Sequence, residues 1–231
     1  YLNSNRANNA DPQNDTHLSV YATAPVSQEG ISKALIGTGQ AFPDPAQVIG
    51  VNTSNEAFFR SNTSAAIEVP DQGESTGLYG VTRSTPSSFT ARVGGSNTSL
   101  AIASLPPPAF NSLVFARLVL GAPSSLSDCT LSFYSIGTSL DLALLDDRVS
   151  TLMEDLRAIE EAGFNRDAIA YLRAVEEADG AFLETSVKVA INNLVSGLKA
   201  DGLWDAIGSS CLLCGPRTLA GALVPLRGDA P

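Results

Sequence analysis

Two different hydrophobic periods divide the chain near Ser139. Before that point the apolar residues come in short runs broken by Gly, Asn, Ser, Thr and Pro, the pattern of strands and turns. The runs predict nine strands: His17 to Ala22, Ala34 to Gly37, Gln47 to Val51, Glu56 to Arg60, Gly77 to Arg83, Ser88 to Val93, Ser99 to Ala103, Leu113 to Leu120 and Cys129 to Ile136. Phe89, Ala91 and Val93 alternate with Ser88, Thr90 and Arg92, as expected of a sheet with one side on a core. Gly94-Gly95-Ser96-Asn97 reads as a hairpin or short loop, and Leu105-Pro106-Pro107-Pro108 cannot lie inside a central strand. A β-sandwich follows for residues 1–139.

Beyond Ser139 the spacing lengthens. Leu142, Leu145, Val149, Leu152, Leu156 and Ile159 recur at steps of three and four, a heptad seam on one helix ending near Gly163. Such a seam either packs on the chain's own sandwich or joins copies of the chain. Asn165 is placed as the N-cap of a second helix, with Asp167 in its first turn, running to about Ala178 before Asp179-Gly180. A third helix carries Leu183, Val187, Ile191, Leu194 and Leu198 on one face and stops near Gly202. Trp204 and Ile207 sit in a short helical turn, and Leu219 to Leu226, with Gly221 and Pro225 inside it, reads as a docked irregular segment. The expected divisions are 1–139 for the sandwich, 140–163 for a linking helix and 164–231 for a helical module.

Composition and charge narrow the classes. A hydrophobic fraction of 44% with 16% charged residues is that of a folded chain, and no window reaches the ~18 uninterrupted apolar residues of a membrane span. The net charge of −10 disfavours nucleic acid, whose affinity for proteins comes from clustered Lys and Arg. The acids are uneven: 9 against 6 basic residues up to Ser139, and 15 against 8 from Leu140 onward.

Catalytic, cofactor-binding and metal-ligating residue sets are expected to be none. The sole histidine, His17, would have to serve any Ser-His-Asp or Cys-His arrangement, and it reads as a strand-entry residue. Glycosidase work needs two carboxylates facing one cleft; the nearest acids, Glu68, Asp71 and Glu74, stand three apart in a segment broken by Pro70 and Gly73, so a solvated loop is expected. Glu160-Glu161 and Glu176-Glu177 are read as solvated helix faces. Asn3, Asn5, Asn8, Asn9, Asp11, Asn14 and Asp15 crowd one stretch with oxygen ligands that could hold a structural calcium, without EF-hand spacing. Cys129, Cys211 and Cys214 are an odd set; Cys211-Leu-Leu-Cys214 has the spacing of a redox or zinc half-motif, and the three are expected as small buried hydrophobes. The Asn-Thr-Ser triplets at Asn52, Asn62 and Asn97 are read as turn chemistry.

Several segments carry a resemblance. Tyr1-Leu2-Asn3-Ser4-Asn5-Arg6, Leu18-Ser19-Val20-Tyr21, Gly77 through Ser84 and Leu131 through Gly137 together resemble the concanavalin-like (laminin-G-like) jelly-roll domains of phage and prophage virion proteins. Ala174 through Gly180, Leu198 through Trp204 and Arg217 through Leu226 are similar to a helical module that accompanies that jelly roll. The resemblance implies a non-enzymatic tail-fibre-like or other surface component of a tailed-phage virion, with other virion subunits as partners, a homo-oligomeric (trimeric) state and a host-surface glycan as a further partner. In the resembling proteins the helical module precedes the jelly roll, whereas here it follows. A processed, partial or permuted chain is therefore expected. Two rival functions stand beside it, a carbohydrate-binding module using Phe58, Phe59, Tyr79 and Tyr134, and a capsid decoration protein; a glycosidase is the weakest reading.

Overall fold

The computed structural model describes residues 1–26, 31–39, 45–73, 75–119 and 121–228, with backbone alone at 159–161. Among the described residues the first part of the chain forms β1 (Leu2–Ala7), β2 (Thr16–Ala24), β3 (Lys33–Gly39), β4 (Ala46–Val51), β5 (Ala57–Thr63), β6 (Ile67–Val69), β7 (Gly77–Arg83), β8 (Phe89–Val93), β9 (Ser96–Leu100), β10 (Asn111–Val114), β11 (Arg117–Val119), β12 (Ala122–Ser124) and β13 (Thr130–Gly137). One sheet runs β1-β10-β3-β4-β5-β6, with the β11–β12 hairpin attached through β3, and the other runs β13-β2-β7-β8-β9. Leu18, Val20, Val81 and Phe89 of the second sheet share one buried cluster with Ile36, Ile49, Phe59 and Val114 of the first. The two sheets are thus the layers of a β-sandwich, each turning alternate side chains inward.

The structure adds strands that the hydrophobic runs did not announce. β1 is polar, and β6 and the β11–β12 hairpin are three residues per strand, too short for a period to register. The run from Leu113 breaks at Phe115, whose φ of +65° turns the chain between β10 and β11; its expected end, Leu120, lies outside the described residues. β9 starts at Ser96 because Gly94 and Gly95, at φ +56° and +73°, make a two-residue turn that sets Val93 opposite Ser96. Of the three Asn-Thr-Ser triplets, Asn52 makes a turn, accepting from the Ser54 and Glu56 amides, whereas Asn62 and Asn97 stand in β5 and β9.

One end of the sandwich interior is polar. Thr38 stands opposite Gln47, and Gln47 opposite Ser61, on the face that Ile49 and Phe59 turn to the core. Gln47 reaches across to donate to Thr16 Oγ1 at 2.9 Å, and Thr16 pairs with Arg83 on β7. Arg83 is 0% exposed. Its guanidinium is solvated by main-chain carbonyls alone: Nε donates to Ser61 O at 3.0 Å, and Nη1 and Nη2 lie 3.1–3.4 Å from the carbonyls of Thr85, Pro86, Ser88 and Ile102. The Phe89 ring lies 5.2 Å beneath it. Burial pulls the guanidinium pKa down, and the carbonyl dipoles replace the water that it lost.

The chain separates into two compact units, Tyr1–Thr151 and Leu152–Pro231, and α1 (Leu142–Glu161) spans the division. Its start is held to the second sheet. His17 Nδ1 donates to Thr138 O at 2.6 Å, the tautomer that this carbonyl requires, and Nε2 accepts from Ser135 Oγ at 2.9 Å. Asp15 accepts from the Ser139 amide and hydroxyl, and Leu140 N donates to Thr82 Oγ1. Leu142 then lies over Gly80, where a Cβ would come within 2.7 Å of it, and Arg92 pairs with Asp146 at 2.8 Å. Within the first unit the seam residues Leu142 and Val149 are buried; Leu152 and Leu156, at the start of the second, are 47% and 52% exposed, and the Ile159 side chain lies outside the described residues.

In the second unit, α2 (Arg166–Asp179) is capped by Asn165, whose side chain accepts from Asp167 N, and ends on Gly180 at φ +64°. α3 (Thr185–Ala200), the short α4 (Leu219–Ala222), and β14 (Ser210–Cys211) paired with β15 (Pro225–Arg227) complete it. Leu172, Val175, Ile191, Val195 and Leu226 form its core. Two expectations are corrected here. Glu176 is buried rather than solvated: it pairs with Arg157 and with Lys188 at 3.2 Å, and accepts from Leu183 N at 2.9 Å. Because Lys188 must reach it, the inward face of α3 runs through Lys188, Ile191 and Val195, and Leu194 is exposed. The Glu160 and Glu161 side chains lie outside the described residues.

Removing the Arg83 cation leaves buried carbonyls without donors. Arg83→Met is expected to lower the unfolding free energy by ~3–5 kcal/mol in urea titrations. Arg83→Lys recovers only part, since an ammonium cannot span the same acceptors. Burial lowers the His17 pKa from its ordinary 6.5, so across the window below 6.5 the unfolded chain binds the extra proton. Stability is full above that value and falls as the pH drops through it. Denaturation series between about pH 7 and pH 5 should show this loss, and His17→Gln should flatten it, with no second histidine to confuse the result.

Candidate binding edge

The residues singled out for chemistry are mostly kept apart by the fold. Glu68 is not in a loop: it stands on β6 opposite Phe58, and it shares the Asn52 amide nitrogen with Glu56, at 3.1 and 2.7 Å. Asp71 sits in a turn at φ +58°, and Glu74 lies outside the described residues. The crowded side chains of the first loop turn to separate partners: Asp11 accepts from Arg6, Asn14 from Ser104 and Asp15 from Ser139, while Asn8 donates through its amide nitrogen to Asn62 Oδ1 and keeps its own buried Oδ1 unbonded. No group of three or more His, Cys, Asp or Glu gathers among the described residues.

Of the cysteines, Cys129 is buried as expected, its thiol pushed up by burial and in contact with the Ser127 hydroxyl. Cys211 is half-buried and Cys214 exposed, contrary to the expectation of three buried hydrophobes. The strand β14 ends at Cys211, which leaves the residues after it without a sheet to cover them.

The aromatics divide in the same way. Phe58, Phe59 and Tyr79 are buried, with the Tyr79 hydroxyl 2.7 Å from the carbonyls of Gln72 and Ser75. Tyr134 is 40% exposed. It lies on β13, which pairs with β2 alone and so forms an open edge of its sheet among the described residues.

That edge has an unusual phase. Leu131 faces Ala22 while Phe133 faces Tyr21, because the register shifts twice between Thr130 and Phe133. Leu131 therefore packs toward the core. Phe133 lies beside Tyr21 on the outward face, and Tyr134, opposite Val20, projects on the other side at the margin. Successive rings thus flank both sides of one edge. Hydroxyls continue the strip at its exposed end, where Thr23 Oγ1 meets Ser132 Oγ at 3.0 Å; Ser19, fully buried, and Ser135, bonded to it and to His17, are spent within the fold.

From Thr130 to Gly137 there is no charged side chain. Such a strip offers ring faces for apolar C–H surfaces, hydroxyls that both donate and accept, and the main-chain groups of an open strand. It is suited to a neutral, hydroxyl-rich ligand. Of its rings the sequence reading offered only Tyr134 for sugar stacking; Phe133 was not among the candidates, because the bulge that turns it outward leaves no mark on the strand period.

No protein-family model and no curated protein matches the chain. Among solved structures it is similar to the CBM40 domain of the Ruminococcus gnavus IT-sialidase, at 10% identity and a TM-score of 0.45 over 58% of this chain and 82% of that one. The same domain is recorded bound to α2,6 sialyllactose. It is similar to the NanB sialidase of Streptococcus pneumoniae at 12% identity and a TM-score of 0.47, over 63% of this chain but only 26% of that one. The heptameric SAP-like pentraxin of Limulus polyphemus matches at 12% identity and a TM-score of 0.36, over 59% of this chain and 77% of that one.

Proposed function

We propose that the sandwich is a non-catalytic, carbohydrate-binding jelly roll of the concanavalin/laminin-G-like kind, and that the β13 edge is its binding surface. The observation that carries this reading is the pair of rings, Phe133 and Tyr134, set on the two sides of an uncharged, hydroxyl-lined edge strand. A sugar ring laid along the edge stacks its C–H face on one aromatic while its hydroxyls exchange hydrogen bonds with Thr23, Ser132 and the free strand edge.

A second part of the proposal concerns the setting. The resemblance to phage virion proteins makes the chain a subunit of a particle surface, with the helices joining it to its neighbours or to its own copies. The observation that favours this is the second half of the heptad seam, where Leu152 and Leu156 are exposed.

A glycan array followed by calorimetry on the strongest hit tests the first part. Tyr134→Ala and Phe133→Ala should each weaken binding by about tenfold, ~1.4 kcal/mol, with Tyr134→Phe close to wild type. An array without signal, or alanine variants that bind as the parent does, would sink it. For the second part, solution mass measurement should find a trimer that Leu152→Glu with Leu156→Glu dissociates. A wild-type monomer at high concentration removes self-association through α1.

A further inference from the structure

Two hydrogen bonds withhold the Ser135 hydroxyl from the sugar strip, and the same two bonds prepare it for chemistry. We propose that Ser135 is a covalent modification site, a serine nucleophile activated by His17 that takes an acyl group from a carboxylic ester. Sugar binding at the edge neither needs nor supplies this step.

An activated serine requires a nucleophile, a base within hydrogen-bond reach and a third group that orients the base. His17 Nε2 lies 2.9 Å from Ser135 Oγ, and Nδ1 lies 2.6 Å from Thr138 O. A carbonyl only accepts, so Nδ1 carries the ring proton and Nε2 presents its lone pair to the Ser135 O–H. Ser19 Oγ, 2.7 Å from Ser135 Oγ, then donates to it, because the Ser135 proton is committed to the imidazole. That donor stabilises the negative charge that grows on Ser135 Oγ as its proton leaves.

The β2–β13 register assembles these groups. Ser19 stands opposite Ser135 and His17 opposite Gly137, so the imidazole reaches Ser135 on the diagonal. Gly137 leaves room for the ring, since a Cβ there would come within 3.2 Å of His17 Cε1. Asp15 accepts from the Ser139 amide and hydroxyl, which fixes the chain next to the Thr138 carbonyl. His17 is 6% exposed and Ser19 0%, whereas Ser135 is half-buried on a strand that pairs with β2 alone among the described residues. The base is shielded from water, and the nucleophile stands at the margin where an ester can reach it.

Ser135 Oγ attacks the carbonyl carbon of the ester while its proton passes to His17 Nε2. The tetrahedral adduct collapses, the C–O bond to the alcohol breaks, and the imidazolium returns the proton to the departing oxygen. One acyl–oxygen bond forms and one breaks, nothing is oxidised or reduced, and His17 ends neutral as it began. Burial holds the imidazole pKa below its ordinary 6.5 against the Thr138 hydrogen bond. Asp11 and Arg6, the charged groups that act on the ring, pull in opposite directions. The base is therefore neutral and ready at pH 7.

The full chain incubated with p-nitrophenyl acetate should release one p-nitrophenolate per chain in a burst and carry one acetyl group, located on Ser135 by peptide mass spectrometry. The rate should be level above about pH 7 and fall as the pH drops through the His17 pKa, and His17→Gln should slow it on the order of a hundredfold. Ser135→Cys keeps the base and reads the same activation in a chain with its histidine intact. Its new thiol should be alkylated by iodoacetamide at about pH 6 several-fold faster than the exposed Cys214. Acetyl groups on lysines or Cys214 ahead of Ser135, an unchanged rate in His17→Gln, or a Ser135→Cys thiol slower than Cys214 overturns the proposal. Release that continues past one equivalent supports the activated serine and removes instead the non-catalytic reading of the sandwich.

Discussion

The Arg83 guanidinium is the constraint on which the sandwich depends. It is a full charge buried at one end of the core, and the groups that solvate it are carbonyls from β5, from the turn after β7 and from the segment after β9. No side-chain carboxylate takes part among those contacts. The cation thereby ties three stretches of backbone to one point, two of them irregular. A carbonyl cannot turn away without leaving both itself and the charge unsatisfied in a low dielectric. The polar row of Thr38, Gln47 and Ser61 with Thr16 is the complement of this choice, because an apolar layer there would strip the charge further.

From that fixed end the rest of the first unit follows by register. Thr16 opposite Arg83 sets β2 against β7, which puts His17 and Ser19 on the outward face beside Ser135. The imidazole and Asp15 then hold the exit of β13 at Thr138 and Ser139, so that α1 begins over Gly80, where the lack of a side chain lets Leu142 settle on the sheet. A buried neutral histidine, a carboxylate and a glycine together decide where the helix starts. In the second unit the same logic recurs with opposite sign: Glu176, buried, is surrounded by Arg157, Lys188 and the Leu183 amide, and α3 is turned to serve it.

The β13 edge shows how a local irregularity sets a surface. A regular strand of period two would send Leu131, Phe133 and Ser135 to one side. The paired register shifts send Leu131 inward and Phe133 outward, and leave Ser132 exposed against Thr23. The edge is open because β13 is the last strand of its sheet, and its neutrality is a property of the segment itself.

Much of this was legible in the residues. Strand and helix periods, the Gly94-Gly95 turn, the Asn165 cap and the division into β and α parts rest on interactions between residues close in sequence, and such interactions leave a pattern in it. The short strands β6, β11 and β12 were not legible, since three residues carry no period. Nor were the buried charges: Arg83 and Glu176 look like surface residues until partners as far as 22 and 19 positions away close around them. The binding edge needed both sources. Sequence determined that β13 would be aromatic, hydroxyl-rich and uncharged, because composition is local. Only the tertiary structure decided that the strand would lie at an edge and that its rings would point to opposite sides, because sheet order and bulges are set by pairing across more than a hundred residues.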